Sequence, residues 1–104
     1  MLFSQNKARV ADGARLLDAY MPDWASRIDL SILDLENVER CILGQLYGDY
    51  LEGLYRLHLC FQQTVDNGFT TPVSSWLPEK GRFRSLTRCW KKEVLKRTHA
   101  LTVA

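Results

Sequence analysis

Cysteine and histidine are the residues whose placement would most readily support chemistry, and the chain carries three of the first (Cys41, Cys60, Cys89) and two of the second (His58, His99). No two cysteines stand in a C-x-x-C pair, and the spacing of His58, Cys60, Cys41, Cys89 and His99 matches no zinc-binding pattern. An odd number of thiols excludes a fully paired disulfide framework, so free and mostly buried thiols are expected. His58 and Cys60 could be drawn as base and nucleophile, but two residues apart on a helix they point about 200° apart. Asp49 and Glu52 share a helix face at i and i+3, yet a carboxylate pair on a solvated face is ordinarily a surface feature rather than an acid/base couple. The sequence holds no phosphate-binding glycine loop, no H-E-x-x-H, no G-x-S-x-G and no dinucleotide fingerprint. The expectation is a protein that is not an enzyme and holds neither metal nor cofactor.

Charge is more informative. Residues 1–78 hold six basic and ten acidic side chains, a balance of −4, whereas residues 79–104 hold eight basic and two acidic ones, a balance of +6. A cationic end on an anionic body either pairs internally or faces an external polyanion or acidic surface. Arg84, Arg88, Lys91, Lys92 and Lys96 recur on one side of a helical wheel, opposite Phe83, Leu86, Trp90, Val94 and Leu101. These five cations, with Trp76 and Tyr55 as the aromatic types that anchor interfaces, form the expected partner-binding set.

The elements that must position them read as helices. Val10, Ala14, Leu17 and Met21 place a first helix over residues 5–20, capped by Ser4 and stopped by Pro22. A short helix after Asp23 and an extended stretch follow. The main expectation is one central helix over residues 35–57, with Asp34 as its N-cap. Leu43, Tyr47, Tyr50, Leu54 and Leu57 form one apolar stripe on it, and Gly44, Gly48, Leu51 and Tyr55 a second, which implies two neighbours. Each of the two glycines costs about 1 kcal/mol in a helix interior, to be offset by a helix packed against the bare backbone. A further helix is expected over residues 59–66, stopped at Asn67-Gly68. A long loop over residues 69–81, strapped down by Trp76, then leads to an amphipathic basic helix over residues 83–100. The result is a single all-α domain spanning residues 1–104, a compact bundle of four to five helices.

The longest apolar runs, such as Ala19-Tyr20-Met21 and Leu59-Cys60-Phe61, are three residues long, against the ~20 a membrane span needs. The segment Met1 to Lys7 lacks the features of a secretion signal, so a cytoplasmic location without membrane contact is expected.

Several strings resemble a group of small proteins of actinobacteria and their phages: Gly13-Ala-Arg-Leu-Leu-Asp18, Pro22-x-Trp24, Ile28-Asp29-Leu30, Leu33-Asp34-Leu35 and, most specifically, Cys41-x-Leu43-Gly44-Gln45-Leu46-Tyr47-Gly48-x-Tyr50-x-x-Gly53-Leu54. Leu86-Thr87-x-x-Trp90-x-x-Glu93-Val94 is similar to how that group ends. The resemblance implies a phage or prophage setting and a small helical fold, and carries over no activity and no functional residue. In that setting the expected function is a non-enzymatic interaction protein, an inhibitor or adaptor acting on a host protein or ribonucleoprotein complex in an anti-CRISPR-like manner. The alternative is a nucleic-acid-binding accessory protein acting through the basic helix. Self-assembly through the tyrosine-rich centre or the tail is a third reading.

Overall fold

The computed structural model describes residues 4–71 and 79–103. Among them it is an all-α bundle of five helices: α1 (Ser4–Tyr20), α2 (Ile42–Tyr47), α3 (Tyr50–Leu57), α4 (Phe61–Asp66) and α5 (Glu79–Val103), with a 3-10 turn at Trp24–Arg27. The all-helical bundle matches the expectation from periodicity, and α1 ends at Tyr20, ahead of Pro22, as expected. Ser4, expected as a cap, is itself the first helical residue.

The continuous central helix over residues 35–57 does not form. Short polar side chains compete for the backbone in its first third: Asp34 Oδ1 accepts from Glu36 N (3.0 Å), and Asn37 Oδ1 accepts from Glu39 N and Arg40 N (2.8 and 3.0 Å), so residues 34–41 are turns. The helix then begins at Ile42, capped by the buried Cys41, whose Sγ accepts from Gly44 N at 3.2 Å. It ends at Gly48, whose φ of 102° is open to glycine and strained for other residues. Asp49 restarts it as the N-cap of α3, accepting from Glu52 N at 2.8 Å. The expected pair of neighbours fails as well. Leu43 and Leu57 are buried and Tyr47, Tyr50 and Leu54 pack against the core, but Leu51 and Tyr55 of the second stripe are 71% and 74% exposed.

Gly44 of α2 does meet bare backbone, but that of a turn and not of a helix: a Cβ there would overlap the Val38 carbonyl oxygen and the Glu39 backbone. Gln45, on α2, ties two loops together, one at Asp29 and one at Arg40. Its Oε1 accepts from Asp29 N (2.6 Å) and its Nε2 donates to the carbonyls of Asp29 (3.2 Å) and Arg40 (2.9 Å). Thus the distinctive residues of Cys41-x-Leu43-Gly44-Gln45-Leu46-Tyr47-Gly48 all serve the fold, as cap, core contact, close approach, loop clamp or helix stop.

α4 starts at Phe61, two residues later than expected, because His58 takes a left-handed conformation that closes α3. α5 starts at Glu79, inside the loop expected over residues 69–81, and runs to Val103 instead of ending near 100. Pro78 directly precedes this start, and the glycine at Gly81 costs only about 1 kcal/mol within the helix. Trp76 and its expected strap lie outside the described residues.

α1 and α5 run parallel and in register. Asn6 Nδ2 donates to Ser85 Oγ (3.2 Å) near their starts, and Arg97 bonds Asp18 near the other end, both pairs 79 residues apart in sequence. The rest of the chain folds over this pair. Trp90 lies at the centre, fully buried, edge-on to Trp24 at 5.7 Å and stacked on Phe69 at 5.3 Å. Its Nε1 donates to the Gly68 carbonyl at 2.6 Å, which anchors the end of α4 to the core. No described helix is long and apolar enough to cross a membrane.

Candidate binding surface

The rotation of α5 is set by Leu86, Trp90 and Val94, one helical turn apart and all buried. Arg84, Arg88, Lys91, Lys92 and Lys96 must then point away from the bundle, and all five are exposed. Among the described residues no ion pair involves Arg84, Arg88, Lys91 or Lys92, and Lys96 has only a loose contact with Glu93 at 3.6 Å.

Arg97 behaves differently, and the sequence offers no sign of it. Its guanidinium folds inward to both carboxyl oxygens of Asp18 (2.9 and 2.8 Å) and to Glu93 (2.7 Å), and lies 5.3 Å from the Trp24 ring centroid. Trp24 Nε1 donates to the same Asp18 carboxylate at 2.8 Å. The hydrogen bond from Arg97 is the main cause that holds the Asp18 carboxyl below its ordinary range, with Trp24 adding to it against the opposing effect of burial. These contacts also stabilise the charged form of Arg97. A lowered folded-state pKa means stability that is present above the unfolded value, about 4, and is lost as pH falls through the folded one. Urea midpoints measured between about pH 5 and 2 should therefore fall less steeply for Asp18→Asn than for the native chain. Identical slopes would exclude this role.

The five outward cations do not form one uniform field, because a trough lies on either side of the α5 ridge. Arg84, Arg88 and Lys91 border a trough of about 430 Å³ floored by Leu33, Phe83 and Thr87, whose far wall carries Asp34 and Glu36. That wall is fixed by a hydrogen bond from Leu35 N to Thr87 Oγ1 at 3.0 Å. Lys92 and Lys96 border a second trough, of about 920 Å³, with Leu95, Cys89 and His99 of α5 and Lys7 from the first turn of α1. The acid on this side, Glu93, is held by Arg97.

Tyr55 is exposed but stands apart from the cations, on α3, which packs mainly on α2. The structure therefore does not join it to them, and Trp76 lies outside the described residues. Cys41 is buried, Cys89 half-buried and Cys60 exposed, so burial of the thiols holds only in part. Burial pushes the Cys41 thiol up, and that of Cys89 too, the latter offset in part by Lys92 and Arg88. His58 closes α3 and Cys60 opens α4, both on the surface, with no hydrogen bond between them. Among the described residues no group of three His, Cys, Asp or Glu side chains is placed to hold a metal ion. Sequence reasoning missed Lys7, Leu95, Asp34 and Glu36 as parts of this surface. The exposed Leu95 amid the cations was a visible signal, whereas the contribution of the other three depends on tertiary contact.

No protein-family model, curated protein or solved structure matches the chain.

Proposed function

We propose that this chain is a non-enzymatic interaction protein of the phage or prophage type, which docks on an anionic surface of a host protein or ribonucleoprotein complex through the outer face of α5. It acts there as an inhibitor or adaptor, in the manner of an anti-CRISPR protein. One observation carries the reading: four cations, Arg84, Arg88, Lys91 and Lys92, are exposed along a helix rigidly anchored by its other face, and none is in an ion pair among the described residues. Like-charged side chains carried on an anchored helix and left out of ion pairs speed encounter with an oppositely charged partner and select against cationic ones. The phage setting is supported by the resemblance of the strings at Gly13–Asp18 and Cys41–Leu54.

The test is a comparison of the native chain with Arg84→Glu/Arg88→Glu/Lys92→Glu, three exposed substitutions expected to leave the circular dichroism spectrum unchanged. Tagged native protein should recover a partner from host lysate, and the variant should recover about tenfold less. Equal recovery would sink the proposal. Expression in a host with an active CRISPR system should block interference, and undiminished plasmid clearance removes the anti-CRISPR part alone.

A second reading, nucleic-acid binding, is favoured by the same row of cations, which spans about 18 Å of helix. Five neutralised phosphates set a limit of about −4.5 on the log-log salt slope with duplex DNA. Absence of a gel shift at low salt excludes this reading.

A further inference from the structure

The two troughs beside α5 differ in what they can accept. A phosphate strand following all five outward cations would pass Asp34 and Glu36, which face Arg84, Arg88 and Lys91 across the smaller trough. It would gain nothing by covering Leu95, which is 52% exposed in the midst of the charges. The larger trough has the opposite character. Leu95 and the half-buried Cys89 give it an apolar lining, Lys7, Lys92 and Lys96 give it a cationic rim, and its acid Glu93 is occupied by Arg97 at 2.7 Å. It extends along residues 89–99 of α5, about 15 Å of helix, or nearly three turns.

We propose that this larger trough seats an acidic amphipathic helix of a partner protein, its apolar side resting on Leu95 and its carboxylates meeting Lys7, Lys92 and Lys96. A helix laid beside α5 presents residues at i, i+3, i+4 and i+7 to the trough, and a volume of about 920 Å³ accommodates several such side chains. Charge complementarity selects the partner: carboxylates meet three cations on two helices and, among the described residues, face no unneutralised acid within the trough. Lys7 and α5 keep a fixed spacing because α1 and α5 are pinned in register by Asn6–Ser85 and Asp18–Arg97. The proposal rests on the cationic face being a protein-docking surface and specifies the occupant.

The probes are a synthetic peptide of about 16 residues, roughly four helical turns, with leucine at i, i+3, i+4 and i+7 and glutamate elsewhere, and a scrambled peptide of the same composition. A duplex of about 20 base pairs is the third probe. Fluorescence anisotropy at low salt should show the amphipathic peptide binding about tenfold more tightly than the scrambled one. Leu95→Ser, an exposed change that leaves the fold intact, should weaken the amphipathic peptide about fivefold and leave the scrambled one unchanged. Lys7→Glu should weaken both peptides. Equal binding of the two peptides, or indifference of the amphipathic one to Leu95→Ser, overturns the trough proposal while leaving the charge-based reading of α5 standing. Tighter binding of the duplex than of the amphipathic peptide overturns it in favour of nucleic acid. Failure of every probe to bind overturns both this proposal and the reading on which it rests.

Discussion

Trp90→Ala should lower the unfolding free energy by about 4 kcal/mol, near the middle of the range for emptying a buried tryptophan site. Such a loss is a large part of the roughly 5–15 kcal/mol that holds a domain of this size together. Three contacts depend on this one ring: the 3-10 turn through Trp24, and the segment after α4 both through Phe69 and through the Gly68 carbonyl, which accepts from the indole N–H. Trp90→Phe separates the contributions, because it keeps most of the apolar volume but removes the donor to Gly68. It should cost about 1–3 kcal/mol. Tyr55→Ala, at a side chain 74% exposed, should stay within about 0.5 kcal/mol of the native chain. Chemical denaturation of the three variants checks the order, and a Trp90→Ala variant as stable as Tyr55→Ala would remove Trp90 from the centre of the fold.

The second large effect is one of sign. Alanine is about 1 kcal/mol better than glycine inside a helix, so local propensity alone argues that Gly13→Ala should stabilise α1. The tertiary contact argues the reverse. A Cβ on Gly13 would overlap the Asn67 carbonyl oxygen and stand 3.0 Å from the Trp90 ring, and neither a backbone carbonyl nor a ring packed on both sides can yield cheaply. Overpacking of this kind costs about 1–3 kcal/mol and more where backbone is in the way, so Gly13→Ala should destabilise by about 2 kcal/mol net. Gly81→Ala supplies the contrast. Among the described residues a Cβ there meets nothing within 4 Å, and the substitution should stabilise α5 by about 0.5–1 kcal/mol. Thermal midpoints moving in opposite directions for the two variants are the expected result, and a stabilising Gly13→Ala would show that α1 and the end of α4 are not in close contact.

Both effects bear on the binding surface. Trp90 sets the rotation of α5, and Gly13 lets the turn after α4 close against α1, the partner of α5. Loosening either contact should blunt binding by α5 even though neither residue touches the proposed partner.

Much of this architecture was legible locally. The three- and four-residue recurrence of Val10, Ala14 and Leu17, the stop at Pro22, and the opposition of Leu86, Trp90 and Val94 to Arg84, Arg88 and Lys92 are properties of single segments. A 3.6-residue period reveals which side of a helix is apolar before anything packs on it. The helical class and the outward direction of five cations followed from that period. The break of the central segment did not, although its agents, Asp34, Asn37, Gly48 and Asp49, are visible in the sequence. Their short-range hydrogen bonds compete closely with a continuous helix, and the outcome turns on the approach of Val38 to Gly44 and the clamp of Gln45 on the loops. Only the tertiary structure turned Arg97 inward to Asp18, paired α1 with α5 in parallel, and divided the cations between two troughs. Each of these depends on groups far apart in the sequence, 79 residues for Asp18 and Arg97, and a pattern read along one segment carries no information about which distant segment will face it.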